Sequence, residues 1–453
     1  MKTKVFLFAL IIQFNVLQCA DASAQTATNL AVARGLAQLS VLQNSVEGKA
    51  ALASNFSVTG GIQTGDIRQP TLLPFEDQQQ QALRDAFITD GNLSELADGL
   101  GTALGSSYVA RAHYIDRQHF TSIAQSVADL IAYTNATTRE DSSFAKFFFA
   151  NGTTNGKTPA SEAALTILKT LNGTPDPFGI AYDRHAGSPG ADAYGNSRPF
   201  QTEPRAIPIV GPDYFNVPSD NSVYNRGPIM NLINSPSYPS GHTTYGYMGS
   251  LLLAVLIPER YQEMIARGSE YGNDRILMGA HYAMDILGGR ALASYDIAHL
   301  LANDPDYVGR TLKGAPVIKD YQVALKAAKT DLVTELQTAC GDTIQVCAKQ
   351  DTGRFNNAVM NEAFYNTTQT YGLSAVHSEN VGTLEDVEKL APEAGYLLTS
   401  AFPSLTLEQA DQILTETEGP GGGFLDDGSH FGVYSRLNLY AAAGRAAQLA
   451  NKK

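Results

Sequence analysis

With 43% apolar and only 17% charged residues, this chain of 453 residues can bury a large core, which excludes global disorder. Its formal net charge of −13 excludes a broad nucleic-acid footprint and a basic membrane-surface patch. It leaves room for one pocket made cationic by clustered arginines.

The first 24 residues carry an export-signal pattern. Lys2 and Lys4 precede an apolar run over residues 5–12, and Ala22-Ser23-Ala24 fits the small-residue rule for cleavage after Ala24. Cys19 follows Gln18, which is too large for lipoprotein processing. The chain is therefore expected to be secreted or periplasmic, and in such an oxidising compartment Cys340 and Cys347 are expected to pair as a disulfide. No other stretch is long and apolar enough to predict a membrane span. Six Asn-x-Ser/Thr sequons occur, at Asn55, Asn92, Asn135, Asn151, Asn172 and Asn366.

Helical spacing marks residues 77–88 and 120–133. Residues 151–240 are rich in Gly, Pro, Asn and Ser and predict loops, where binding residues often lie. Helices are predicted again over 243–257 (stopped by Pro258), over 259–269, and through a region from 273 to 299. Residues 303–316 predict a linker, 317–338 a further helix, and 384–400, 407–416 and 437–450 three more. Strand patterning is sparse, so the fold class is all-α. The division is a helical domain over 25–305 and a helical C-terminal extension over 306–453, which either packs on the first domain or mediates self-association as a homo-oligomer.

Three segments carry chemistry. In Tyr238-Pro239-Ser240-Gly241-His242-Thr243, a Pro/Gly turn precedes a helix whose N-terminus presents unpaired N–H groups and partial positive charge. That arrangement suits a phosphate held by the Ser240 hydroxyl and the Gly241 amide, with His242 beside it to protonate a leaving oxygen. The plainer alternative is a helix start with Ser240 as its cap. In the second segment, His281 and Asp285 are four residues apart, which on a helix places them on one face. The carboxylate can then hold the Nδ1–H of the imidazole and free Nε2 to attack phosphorus. Arg275, six residues before His281, lies off that face unless its reach or a break near Gly279 brings it to the phosphate. The third segment, Arg198-Pro199, is weak alone. His299, His430 and the other histidines lack partner spacing; Asp426, Asp427 and His430 could bind a metal, but a solvated loop is the plainer reading, and no metal-spaced cluster of His, Cys and carboxylates is evident.

Together, the order Arg-Pro, Pro-Ser-Gly-His, then Arg-x5-His-x3-Asp resembles the superfamily of type 2 phosphatidic acid phosphatases, bacterial class A acid phosphatases and vanadium haloperoxidases. The resemblance is closest to the class A non-specific acid phosphatases, and is firm from about residue 198 to 290. It implies an all-α bundle needing no metal or other cofactor, with small phosphorylated esters as substrates. It implies His281 as nucleophile, Asp285 as its orienting partner and His242 as acid, then base. Arg198, Ser240, Gly241 and Arg275 would hold the phosphoryl oxygens. The alternatives are a vanadium-dependent haloperoxidase on the same residues and a non-catalytic phosphate-binding relative. One departure stands out: the family places a Lys seven residues before the Arg of Arg-Pro, where this chain has Ala191. Arg184 or Arg205, from the same loop, is the expected substitute.

Overall fold

The computed structural model describes residues 25–68, 72–86, 93–116, 119–205, 209–212, 214–215 and 232–452. The export-signal residues and the Asn92 sequon lie outside them. Within these described residues, eighteen α-helices follow in chain order: α1 (Ala27–Leu36), α2 (Val46–Thr64), α3 (Phe75–Asp85), α4 (Thr102–Val109), α5 (Gln125–Asn151), α6 (Glu162–Leu171), α7 (Pro177–Ala181), α8 (Pro199–Thr202), α9 (Gly241–Leu256), α10 (Tyr261–Leu277), α11 (Ala283–Leu301), α12 (Tyr321–Cys340), α13 (Ile344–Lys349), α14 (Ala358–Thr368), α15 (Val387–Leu390), α16 (Tyr396–Thr399), α17 (Leu407–Glu416) and α18 (Leu439–Ala450). Among the described residues no strand forms, only two isolated bridges, so the fold is all-α. None of the described helices is long and apolar enough to cross a membrane.

The centre is α9, packed between α10, α11 and α5. It is apolar around most of its circumference, as a fully surrounded helix must be, and nearly every residue is buried. Leu251, Leu252 and Leu253 are each buried to 2% exposure or less, a contribution of about 1.5–3 kcal/mol apiece. Pro258 ends the helix, because its ring clashes with the preceding turn and it has no N–H to donate. The chain reverses through a short 3₁₀ turn, and α10 runs back along α9. The two approach so closely that a Cβ on Gly246 would lie 2.0 Å from the Tyr271 ring, so only glycine fits.

The predicted helices over 259–269 and 273 onward are one helix at first, α10, which then breaks before α11. The break falls at Gly279, whose φ of +70° ends α10 in a left-handed cap. Residues 120–133 mark only the start of α5, which continues to Asn151. Beyond residue 305 the chain adds to the same core. α14 and α18 pack on α10, α16 packs on α11, and Phe355, Tyr365, Leu397 and Leu398 join one apolar cluster with Leu252 and Leu292. Cys340 and Cys347 form a disulfide between the end of α12 and α13.

Candidate active site

Backbone hydrogen bonds bring the three motif segments to one place. The Phe200 N–H donates to the Gly279 carbonyl at 3.0 Å, joining the Arg-Pro turn to the α10–α11 break. The Ser240 N–H donates to the Asp285 carbonyl at 3.1 Å, joining the start of α9 to the start of α11. The Ala280 and His281 N–H groups both return to the Arg275 carbonyl, at 3.1 and 3.2 Å. The break therefore folds His281 back over the end of α10, where Arg275 sits.

His281 and Asp285 do meet, but not as neighbours on a helical face. His281 precedes α11, Tyr282 is its N-cap, and Asp285 is in its first turn. The Asp285 Oδ2 accepts the Tyr282 N–H at 2.8 Å and the His281 Nδ1–H at 3.1 Å, and also bonds the Ser237 hydroxyl. One carboxylate thus caps the helix and orients the imidazole. The ring's tautomer follows from its other neighbour. Arg198 Nη1 lies 3.0 Å from His281 Nε2, and a guanidinium only donates, so Nε2 accepts and the proton is on Nδ1.

Arg198 is buried and otherwise held mainly by carbonyls, donating from Nε to Ser235 at 2.7 Å, from Nη1 to Ala280 at 2.8 Å and from Nη2 to Pro236 at 3.2 Å, with the Ser235 hydroxyl also 3.2 Å from Nη2. Arg275, also buried, has Nη1 3.2 Å from the Met278 sulfur, while its Nε and Nη2 have no hydrogen-bond partner. His242 Nε2 is likewise buried and unpartnered. Unmet donors of a buried guanidinium cost free energy and mark a place where an anion fits. Ser240 is the N-cap of α9, accepting the Thr243 N–H at 3.1 Å. That bond uses the oxygen and leaves the hydroxyl proton to donate, so capping and anion binding are compatible.

The cation missing at Ala191 is present from elsewhere. Lys146, on α5, extends over the N-terminus of α9, where a Cβ built on Gly241 would meet its Nζ at 3.4 Å. Burial, then the nearby Arg198 guanidinium, lowers its ammonium to about 7; Asp285 and Asp192 pull the other way. Neither expected substitute reaches the site. Arg205 is half exposed and bound to Glu203 and Asp66, and Arg184 bonds the Asp183 carbonyl at the surface. Sequence reading missed Lys146 because its partners are more than forty residues away. A Lys in the interior of an apolar helical stretch, Phe144-Ala145-Lys146-Phe147-Phe148, was the available signal.

Electrostatics agree with convergence on one point. Burial, followed by Arg198, Lys146 and Arg275, holds His281 well below the usual imidazole range. Burial, then Arg275, Lys146 and Arg198, does the same for His242. Burial raises the Asp285 carboxyl to about 7, against the pull of its Ser237 and Tyr282 bonds and the cations. Asp426 is buried and accepts the Gly422 N–H, so the solvated-loop reading fails there; Asp427 accepts from Gln38 and Ser429.

Residues 160–306, which hold Arg198, Ser240, Gly241, His242, Arg275, His281 and Asp285 but not Lys146, match the PAP2 superfamily. The chain is 45% identical over 69 residues to a non-specific acid phosphatase of Salmonella typhimurium, 15% of this chain and 28% of that protein. It is 45% identical over 71 residues to an acid phosphatase of Zymomonas mobilis, 16% of this chain and 26% of that protein. A lipid A 1-phosphatase of Rhizobium johnstonii is 31% identical over 91 residues, 20% of this chain and 36% of that protein. The chain thus matches about a quarter to a third of the length of these relatives.

Proposed function

We propose that this protein is an acid phosphatase that hydrolyses phosphate monoesters through a phosphohistidine on His281. The observation that carries the reading is the fixed imidazole: Nδ1–H on Asp285, Nε2 facing buried cations. The phosphoryl oxygens would take the donors of Arg275, the Ser240 hydroxyl, the Gly241 N–H, Lys146 and Arg198, whose Nη1 would exchange His281 for a phosphoryl oxygen. His281 Nε2 then attacks phosphorus while the P–O bond to the alcohol breaks, and protonated His242 gives its proton to the leaving oxygen. In the second half, His242 takes a proton from water, the hydroxide attacks phosphorus, and the P–N bond breaks to return His281 and free phosphate. A phosphate dianion raises the affinity of both histidines for protons, opposing the burial and cation effects that lower it. This favours the protonated His242 that the first step needs, while the lowering by burial and the cations is what makes acidic pH favourable.

The export pattern of residues 1–24 and the disulfide support a secreted or periplasmic setting, where small soluble esters are the accessible substrates. A second reading gains from Lys146. Vanadate mimics the pentacoordinate phosphoryl transition state and its tight binding draws on every nearby cation; with Lys146 present, the residues also fit a vanadium-dependent haloperoxidase. A non-catalytic relative fits less well, since nucleophile, acid and three cations all converge. The test is purified protein with p-nitrophenyl phosphate and, separately, with vanadate, peroxide and bromide. Ester hydrolysis lost by at least about 10³-fold in His281→Ala is the expected result; bromide oxidation without hydrolysis would favour the second reading.

A further inference from the structure

The far end of α11 holds a second constellation, unrelated to phosphate. His299, near the C-terminus of α11, faces Glu393 of the 392–395 turn and His430 of the loop before Phe431. The Glu393 Oε1 is 2.5 Å from His430 Nε2 and 3.7 Å from His299 Nε2, and one ligating atom from each of the three residues lies within 4.8 Å of the others.

Three features set this apart from a chance ion pair. First, His299 Nδ1 is bonded to Asp304 Oδ2 at 2.7 Å, which fixes the proton on Nδ1 and turns the Nε2 lone pair toward the cluster. A carboxylate behind a histidine in this way is the usual support of a metal ligand. Second, His299 is only 8% exposed, and its Nε2 has no hydrogen-bond partner. Third, the rings are held by aromatic walls. His299 stacks on Tyr307 at 4.8 Å, and Tyr295 lies edge-on to His299 and His430, at 4.4 and 5.4 Å. The Tyr434 hydroxyl donates to Glu393 Oε1 at 2.5 Å, orienting the carboxylate as well.

We propose that His299 Nε2, Glu393 Oε1 and His430 Nε2 bind one divalent ion of the zinc class. Two imidazoles and one carboxylate suit zinc and its neighbours in the first transition row, whereas calcium and magnesium require oxygen donors. Ligand atoms about 2.0–2.1 Å from a tetrahedral ion stand roughly 3.3 Å apart, so the three need to shift by only about 1 Å, with the ion replacing the Glu393–His430 hydrogen bond. The ion is structural rather than catalytic. His281 precedes α11 and His299 is eighteen residues further on, about 27 Å at the helical rise. It would tie the end of α11 to two segments of the C-terminal extension.

The test uses the tag-free full chain, stripped with chelator and then titrated with Zn²⁺ or Co²⁺. One equivalent bound, a Co²⁺ visible spectrum of tetrahedral type and a raised melting temperature are expected. Binding should fall at least tenfold in His430→Gln and Glu393→Gln; His430 is 44% exposed, so its loss should leave the fold intact. Hydrolysis of p-nitrophenyl phosphate, if the phosphatase reading holds, should survive metal removal, and the metal readouts stand whether or not it does. Substoichiometric binding, or equal binding and stabilisation in wild type and His430→Gln, would overturn the proposal and leave a Glu393–His430 ion pair only.

Discussion

Lys146 is the residue whose placement changes the site most. A lysine whose ammonium is lowered to about 7 carries its charge below that pH and loses it above. Phosphate affinity should therefore weaken as pH rises through 7, beyond the change due to phosphate's own ionisation. Lys146→Gln should raise the inhibition constant for inorganic phosphate about tenfold to a hundredfold at pH 6, from one lost charge-assisted contact, and remove that extra pH dependence. Lys146→Arg should keep the affinity above pH 8. A pH series of phosphate inhibition on the three proteins measures this; parallel profiles for wild type and Lys146→Gln would show that Lys146 makes no contact. His281, Asp285, His242, Ser240 and Arg198 could be named from the chain because their chemistry is local to short motifs. Lys146 could not, because nothing in the residues around it specifies that α5 crosses the N-terminus of α9.

At the scale of elements, the break at Gly279 does more than end a helix. A continuous helix through residues 273–299 would hold Arg275 on a different face from His281. The left-handed turn instead returns the His281 N–H to the Arg275 carbonyl, and Asp285 becomes both cap and imidazole partner. The four-residue spacing was thus informative for a reason other than helical periodicity. Gly279→Ala adds a Cβ that meets Gln63 and Phe200 at ordinary contact distances of 3.5 and 3.7 Å, so the penalty is mainly the positive φ, about 1–2 kcal/mol. We predict that kcat for p-nitrophenyl phosphate drops more than the melting temperature suggests, since the turn positions both Arg275 and His281. Unchanged kcat would show that the site tolerates a reshaped turn. The boundaries of α10 were misjudged because Gly272 interrupts the sequence pattern without interrupting the helix; it packs against Ile286, where a side chain would not fit.

Across the whole molecule, the chain beyond residue 305 shares its core with the helices before it, and charges as well as apolar contacts join the parts. Arg267 of α10 is fully buried and forks onto Asp85 of α3 at 2.6 and 2.7 Å, with Asp98 at 2.7 Å. Arg354, from the C-terminal extension, bonds Glu270 and the same Asp98. Arg267→Met should cost about 3–5 kcal/mol, because it strands the buried Asp85 carboxylate without its partner, and should lower the urea midpoint accordingly. A shift below 1 kcal/mol would contradict the dependence of Asp85 on Arg267. The all-α class was legible in the absence of strand patterning. The shared core was not, since amphipathic stripes show that a helix packs but not on what. Sequons at Asn55 and Asn135 lose their meaning at this scale, because both side chains are buried.

The most direct test of the account is to trap the covalent intermediate. His242→Ala should form the phosphoenzyme with an activated ester whose leaving group needs no proton, and hydrolyse it slowly for want of a base. After a rapid alkaline quench, mass spectrometry should place one acid-labile phosphate on His281, absent from His281→Ala. Hydrolysis that persists in His281→Ala, or phosphate found on another residue, would contradict the assignment of His281 as nucleophile.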